Sequence, residues 1–106
     1  MKFCCNALQN ECTVLTRDNR KVEKLLVYTP ELRCLGIAIG NEGGNMPIDY
    51  CPFCGKKQPS ELSYEYWETI IKEVGPEYYP SNENYDPDRL LPEEFYTDEW
   101  WKKRGL

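Results

Sequence analysis

Histidine is absent from the 106 residues, and this absence excludes more chemistry than any other feature of the composition. Without imidazole the chain lacks the usual general base of enzymes and both the Ser-His and the Cys-His nucleophile pairs. It also cannot form a metal site with imidazole ligands. Enzymes that are built on these groups are therefore excluded.

Long apolar runs are missing as well. No stretch reaches the roughly twenty apolar residues that a membrane span needs. Residues 1–8 are too short and become polar too soon to form a secretory signal. We therefore expect a cytoplasmic protein that does not associate with membranes.

Cations are in the minority, because 13 Lys and Arg face 18 Asp and Glu, for a net charge of −5. The imbalance lies in residues 76–106, which hold four basic and eight acidic residues, whereas residues 1–75 hold nine and ten. Such a balance disfavours binding to a phosphate backbone, which needs clustered cations. Acidic pairs such as Glu93-Glu94, or Asp86 and Asp88, carry no sign of burial, so we predict solvated charges and no enzymatic activity.

Six cysteines are the feature that the chain does have. A domain of this size buries only about two thirds of the surface that its unfolded chain exposes, so a metal or covalent link adds much to its stability. In a reducing cytoplasm, cysteines are better explained as metal ligands and free thiols than as disulfides.

The stretch Tyr50–Lys57, with the sequence YCPFCGKK, has the pattern of half a zinc site. Two thiolates three residues apart, Cys51 and Cys54, can both reach one ion, and a tight turn directs backbone amides at their sulfurs. Gly55 permits the positive φ that such a turn needs. A redox-active pair is the alternative, but the preceding sequence lacks the α/β pattern typical of that motif.

A closed tetrahedral site needs two further ligands. Adjacent cysteine side chains usually diverge, so the spacing leaves two pairs open: Cys4 with Cys5, and Cys5 with Cys12. Cys34 stands beside an alternating apolar run, so we interpret it as a core or hairpin thiol.

The hydrophobic pattern predicts an α+β fold: a small domain with a short antiparallel sheet. A short helix is expected within residues 4–12. Three strands are predicted, over residues 22–29, 35–39 and 46–50, with Leu35, Ile37 and Ile39 facing the core. A proline turn at 30–33 joins the first two strands, and a glycine-rich turn at 40–45 joins the last two. The glycine-rich turn lacks the lysine and the context of a phosphate-binding loop.

One amphipathic helix is predicted over about residues 60–74, with Ser60 as its N-cap. Gly75-Pro76 should end it. Its apolar stripe consists of Trp67, Ile70, Ile71 and Val74.

Residues 1–106 are predicted to form a single domain. After the helix, the chain continues as an irregular connector, 76–89, and then as an acidic and aromatic C-terminal segment, 90–106. This segment should end in a short helix that Thr97-Asp98-Glu99 caps. Its rings either complete the core or form a surface that binds a partner through Tyr96, Trp100 and Trp101.

The chain resembles a family of small, uncharacterised bacterial and phage proteins that pair an N-terminal Cys-Cys with a later Cys-Pro-Phe/Trp-Cys-Gly knuckle. The similarity lies in Phe3-Cys4-Cys5, Tyr50–Lys57 with Pro59, the helix with Trp67, and Leu91–Trp101. It implies a zinc-ribbon-like protein with Cys4, Cys5, Cys51 and Cys54 as ligands of a structural Zn²⁺, and it implies no activity.

We therefore predict a non-enzymatic, zinc-stabilised protein-interaction module of bacterial or phage origin with an unidentified protein partner. The alternative is a nucleic-acid-associated zinc ribbon that uses Lys56 and Lys57. The acidic balance makes nucleic acid the less favoured partner.

Overall fold

The computed structural model describes residues 3–39 and 44–106, and its α+β fold confirms the predicted class. In these two ranges the elements are, in chain order, α1 (Asn6–Asn10), β1 (Cys12–Val14), β2 (Leu26–Thr29), β3 (Cys34–Ile39), β4 (Gly44–Pro47), α2 (Ser63–Glu73) and α3 (Glu99–Lys103). Short 3-10 helices cover Pro30–Leu32, Pro76–Tyr78 and Glu93–Tyr96. The predicted glycine-rich turn lies mostly outside the described residues. No helix in the described ranges has the length and apolar character needed to cross a membrane.

The four strands form one sheet in the order β1-β2-β3-β4. The predicted hairpin is confirmed, because β2 and β3 are antiparallel with Tyr28 opposite Leu35, and β4 adds antiparallel to β3. The sheet is mixed, however, since β1 pairs parallel to β2. The segment between β1 and β2 is long enough to bring the chain back to the end of the sheet where β1 began, so that β2 can run in the same direction as β1.

The central strand β2 is buried along its whole length, which is typical of a strand covered on both faces. The predicted core face of β3 is only partly correct. Leu35 is buried, but Ile37 and Ile39 are 36% and 58% exposed. Ile39 lies past the start of β2, where the sheet is narrow, and Ile37 pairs with Leu26, the first residue of β2.

Helix α2 begins at Ser63, three residues later than predicted, and Ser60 does not cap it. The amide of Leu62 donates to the carbonyl of Leu32 at 2.7 Å, which ties the chain to the turn before β3 immediately ahead of the helix. Gly75 ends the helix as predicted, with φ 154° and a hydrogen bond from its amide to the Ile70 carbonyl.

The buried face of α2 is also displaced from the predicted stripe. Tyr66 and Ile70 are buried, Trp67 and Val74 are half-buried, and Ile71 is exposed. Tyr66 is buried because it packs against aromatic rings of the C-terminal segment. The Tyr66 hydroxyl also donates to the Phe95 carbonyl at 2.8 Å.

The part of the chain that the structure describes forms two hydrophobic clusters. One lies between the sheet and the N-terminal segment and contains Leu8, Leu26, Tyr28, Leu35 and Cys51. The other joins α2 to the C-terminal segment through Leu62, Tyr66, Ile70, Phe95 and Trp100. The first cluster supports the cysteine site, and the second fixes the end of the chain.

Candidate metal centre

The knuckle around Cys51 and Cys54 is a tight turn closed by backbone hydrogen bonds. The Gly55 amide donates to the Cys51 carbonyl at 2.9 Å, and the Cys51 amide donates to the Lys56 carbonyl at 2.9 Å. Tyr50 and Lys57 form an antiparallel bridge at its base. Gly55 has φ 76°, which confirms the predicted left-handed position. The turn thus presents both cysteines on one side of the chain.

The second pair of sulfurs comes from the residues immediately before α1. Cys5 occupies the N-cap position of that helix in an extended conformation. Its Sγ lies 3.8 Å from the Sγ of Cys51, and the Sγ of Cys4 lies 3.4 Å from that of Cys54. Two adjacent cysteines therefore reach the same site, each opposite one cysteine of the knuckle.

All four sulfurs lie within 4.8 Å of one another. A tetrahedral zinc site has Zn–S distances of about 2.3 Å, which places its sulfurs about 3.8 Å apart. The shortest sulfur distances in the cluster are close to this value. The donor set and its spacing therefore fit a single tetrahedral ion.

The other two cysteines are not part of this group. Cys12 is buried in β1, where its thiol donates to the Thr13 carbonyl and burial raises its pKa to about 11. Cys34 is buried at the start of β3 beside Asn45, and burial raises its pKa as well. Of the two pairs that the spacing left open, the structure therefore places Cys4 with Cys5, and not Cys5 with Cys12, beside the knuckle cysteines. Cys34 is a core thiol, as predicted.

Burial and neighbouring groups shift the pKa values of the Cys4 and Cys51 thiols in opposite directions. Burial, followed by the hydrogen bond with Cys54, raises the pKa of the Cys4 thiol to about 12. Burial also opposes ionisation of Cys51, but backbone hydrogen bonds from Cys54 and Phe53 outweigh it and lower the pKa of Cys51 to about 7. The first thiolate is thus stabilised by the turn, whereas further thiolates need a compensating cation.

Gln58 contacts both the knuckle and the Cys4 ligand, a role that the sequence did not predict. Its side chain is buried, and its Nε2 donates to the Lys56 carbonyl at 2.9 Å and to the Cys4 Sγ at 3.5 Å. A donor of this kind stabilises thiolate charge and orients the ligand. Only its position directly after the knuckle could have indicated this role.

The three aromatic residues predicted to bind a partner have different environments. Trp100 is fully buried in the core, so its side chain presents no surface, which corrects that part of the prediction. Tyr96 and Trp101 are half-buried, and Arg17 lies 4.6 Å from the Tyr96 ring centroid. Partner binding by Tyr96 and Trp101 stays a prediction.

The fold and the sulfur cluster define a small α+β domain with a four-cysteine site of metal-binding geometry. The chain belongs to the family described as a domain of unknown function (DUF6980), which matches residues 2–103. Neither a curated protein nor a solved structure matches the chain.

Proposed function

We propose that this protein is a non-enzymatic interaction module whose fold is stabilised by a structural zinc ion. The observation that supports the zinc site best is the group of four cysteine sulfurs within 4.8 Å of one another. Its ligands would be Cys4, Cys5, Cys51 and Cys54.

The donor set favours zinc over other metals. Four thiolates in a tetrahedron suit zinc or iron, whereas magnesium and calcium prefer oxygen. An iron–sulfur cluster requires cysteines spread around several metal atoms, and the short distances between these sulfurs suit a single ion. A metal analysis must therefore measure iron as well as zinc.

A site of this kind is structural, because four protein ligands occupy every position of a tetrahedral ion and leave none for water or substrate. The ion would join two segments that are 46 to 50 residues apart. Binding of zinc to such sites contributes about 10–16 kcal/mol of apparent free energy, which is comparable to the stability of a small domain. We expect the fold to depend on it.

The zinc site is tested by elemental analysis of purified protein and by thermal unfolding with and without a strong chelator. We expect one zinc per chain and loss of the folded state on chelation. Cys51→Ser should abolish stoichiometric zinc, whereas Cys34→Ser, a matched change at a buried thiol outside the cluster, should retain it. A chelator-insensitive melt with no bound zinc would refute the proposal.

The interaction role rests on aromatic side chains that remain partly exposed after the core has formed. Trp101 is half-buried, and its ring is flanked by Arg33 and Lys102 at 5.2 and 5.7 Å. An aromatic ring beside charged groups at a surface is typical of residues that anchor a protein partner. The family resemblance favours a bacterial or phage source, and cysteines used as metal ligands favour a reducing cytoplasm as the setting.

This role is tested by affinity capture from a bacterial lysate with zinc-loaded protein. A specific partner should be retained by the wild type and lost with Trp101→Ala. Tyr85→Ala removes an exposed aromatic ring from the connector and serves as the matched control. Equal capture by all three proteins, or no specific capture at all, would contradict the assigned surface.

A further inference from the structure

A groove of about 700 Å³ opens beside the cysteine site. It lies between the knuckle, the turn that joins β2 to β3, and helix α3. Its basic and aromatic side chains come from these three elements, from β2 and from the N-terminal segment: Phe3, Tyr28, Arg33, Lys56, Lys57, Trp101 and Lys102. The groove therefore exists only in the folded chain.

The groove is basic in a protein whose net charge is −5. No carboxylate is among the described residues that line it. Lys102 pairs with Asp98 at 2.8 Å, whereas Arg33, Lys56 and Lys57 form no salt bridge within the described ranges. A zinc ion with four thiolates would carry two negative charges and balance part of the lysine charge, but Arg33 and Lys102 belong to other elements.

Arg33 is held in a position suited to a carboxylate. It is the only non-glycine residue with a positive φ in the described ranges, at 48°. Its Nε donates to the Ser60 carbonyl at 2.9 Å, and its guanidinium carbon lies 5.2 Å from the centroid of the Trp101 ring. These contacts fix the guanidinium and leave its terminal nitrogens available, an arrangement that suits bidentate binding of a carboxylate.

We propose that this groove binds an acidic peptide segment of the partner protein, with a carboxylate on Arg33, further carboxylates near Lys56 and Lys57, and an apolar side chain against Trp101 and Phe3. This inference rests on the proposed interaction function and names the chemistry of the partner. Charge complementarity to a confined basic groove supports it.

The same charge distribution disfavours a nucleic acid as the occupant. A single strand extends beyond a short groove, and each further phosphate then meets a protein whose net charge is −5. An acidic peptide can instead place a few carboxylates inside the groove and continue with neutral residues.

The test is fluorescence anisotropy with the full zinc-loaded chain and a labelled, end-capped peptide in which Asp and Glu surround a central Leu. We expect saturable binding that weakens with salt. Arg33→Lys keeps the charge but removes the planar fork, and should weaken binding about tenfold, because lysine cannot make the paired hydrogen bonds of a bidentate contact. Lys56→Gln with Lys57→Gln should weaken it as well.

The matched control is Lys21→Gln with Lys24→Gln, which changes the net charge equally at exposed lysines outside the groove. Its affinity should equal that of the wild type. Zinc content is measured for every variant, so that loss of the metal site is distinguished from loss of the groove. Arg33→Lys leaves the knuckle unchanged and keeps the test valid if the double lysine variant loses zinc.

Several outcomes would overturn the inference. A peptide with Gln and Asn in place of the acids should not bind, and equal binding would remove the electrostatic basis. Tighter binding of a single-stranded oligothymidine, with the same response to Arg33→Lys, would assign the groove to nucleic acid. Absence of peptide binding by a chain that holds zinc would reject the groove and leave the structural zinc proposal intact.

Discussion

The indole nitrogen of Trp100 donates a hydrogen bond to the backbone carbonyl of Glu31 at 2.7 Å. The neighbouring Trp101 does the same to the Pro30 carbonyl, also at 2.7 Å. Two consecutive tryptophans thus attach α3 to the 3-10 turn between β2 and β3, across some seventy residues of chain. The C-terminal segment is consequently part of the core, and of these two tryptophans only Trp101 keeps an exposed surface for a partner.

We predict that Trp100→Ala destabilises the protein by about 3–5 kcal/mol, the usual effect of removing a large buried aromatic ring. The ring is fully buried between Tyr66 and Phe95, and its loss also leaves the Glu31 carbonyl without its donor. Equilibrium unfolding in urea, monitored by far-UV circular dichroism, measures the change.

Trp101→Ala is the matched control for this prediction. Its ring is half-buried and makes an equivalent hydrogen bond, so we expect a clearly smaller loss of stability.

Deletion of residues 90–106 should unfold the protein. A stable, zinc-loaded fold after that deletion would show that the segment is an appendage.

Gly55 allows a sharp test of the knuckle. A Cβ at this position would meet nothing within 4 Å, so any effect of Gly55→Ala arises from the backbone conformation at φ 76°. The left-handed region costs most L-residues about 1–2 kcal/mol, and we expect a loss of that size in urea unfolding, with weaker zinc retention in a competition assay.

Gly55→Asn is the control, because asparagine tolerates the left-handed region better than alanine. Its stability should lie between those of the wild type and Gly55→Ala. If alanine and asparagine were equally harmful, the conformational explanation would fail.

The features that the sequence predicted well are those determined by neighbouring residues. The knuckle depends on a few consecutive residues with a glycine at the left-handed position, and the hairpin on two apolar runs that flank Pro30. The end of α2 at Gly75 is another local signal. Such features need no knowledge of the tertiary structure.

The features that the sequence did not predict depend on contacts between distant segments. The parallel pairing of β1 follows from how the chain returns across the sheet, and the start of α2 from a hydrogen bond between Leu62 and Leu32. Spacing could not choose between Cys4 and Cys12, because the choice depends on where α1 lies on the sheet. The basic groove likewise combines cations from three separate elements.

Glu31 introduces a pH dependence that stability measurements can detect. Its Oε2 is buried without a hydrogen-bond partner among the described residues, and burial raises the pKa of this carboxyl despite Arg20 at 3.5 Å. A raised folded pKa means that the contribution of Glu31 to stability is present below its ordinary value of 4.5 and is lost as the pH rises through the folded pKa.

We therefore predict that Glu31→Gln stabilises the protein at neutral pH by up to about 1 kcal/mol. The difference between variant and wild type should shrink as the pH falls through the raised folded pKa of Glu31, since the wild-type side chain then becomes neutral. Taking this difference at each pH cancels the effect of cysteine protonation. Glu23→Gln, at an exposed carboxylate, should show no such trend, and a Glu31→Gln variant less stable than the wild type at neutral pH would contradict the argument.

Arg104 links three parts of the C-terminal cluster. It pairs with Glu73 of α2 through two nitrogens, at 2.6 and 3.0 Å, with Glu94 at 2.9 Å, and with the Trp100 carbonyl at 2.7 Å. Its hydrogen bonds lower the pKa of Glu73, while Lys103 and then Arg104 lower that of Glu94. Carboxylates with a lowered folded pKa stabilise the fold above their ordinary pKa, and this contribution is lost as the pH falls through the folded pKa.

We expect Arg104→Gln to lose about 1–2 kcal/mol at neutral pH, a modest figure because Glu73 is half exposed and solvent screens its charge. Arg104→Lys keeps the charge without the fork and should recover only part of the loss. Because exposed charges are screened by salt, the gap between Arg104→Gln and the wild type should narrow in about 1 M NaCl. If the gap is insensitive to salt, the loss arises from contact of the guanidinium with the Phe95 ring, whose centroid lies 5.4 Å from the Arg104 Cζ, and the ion pairs contribute little.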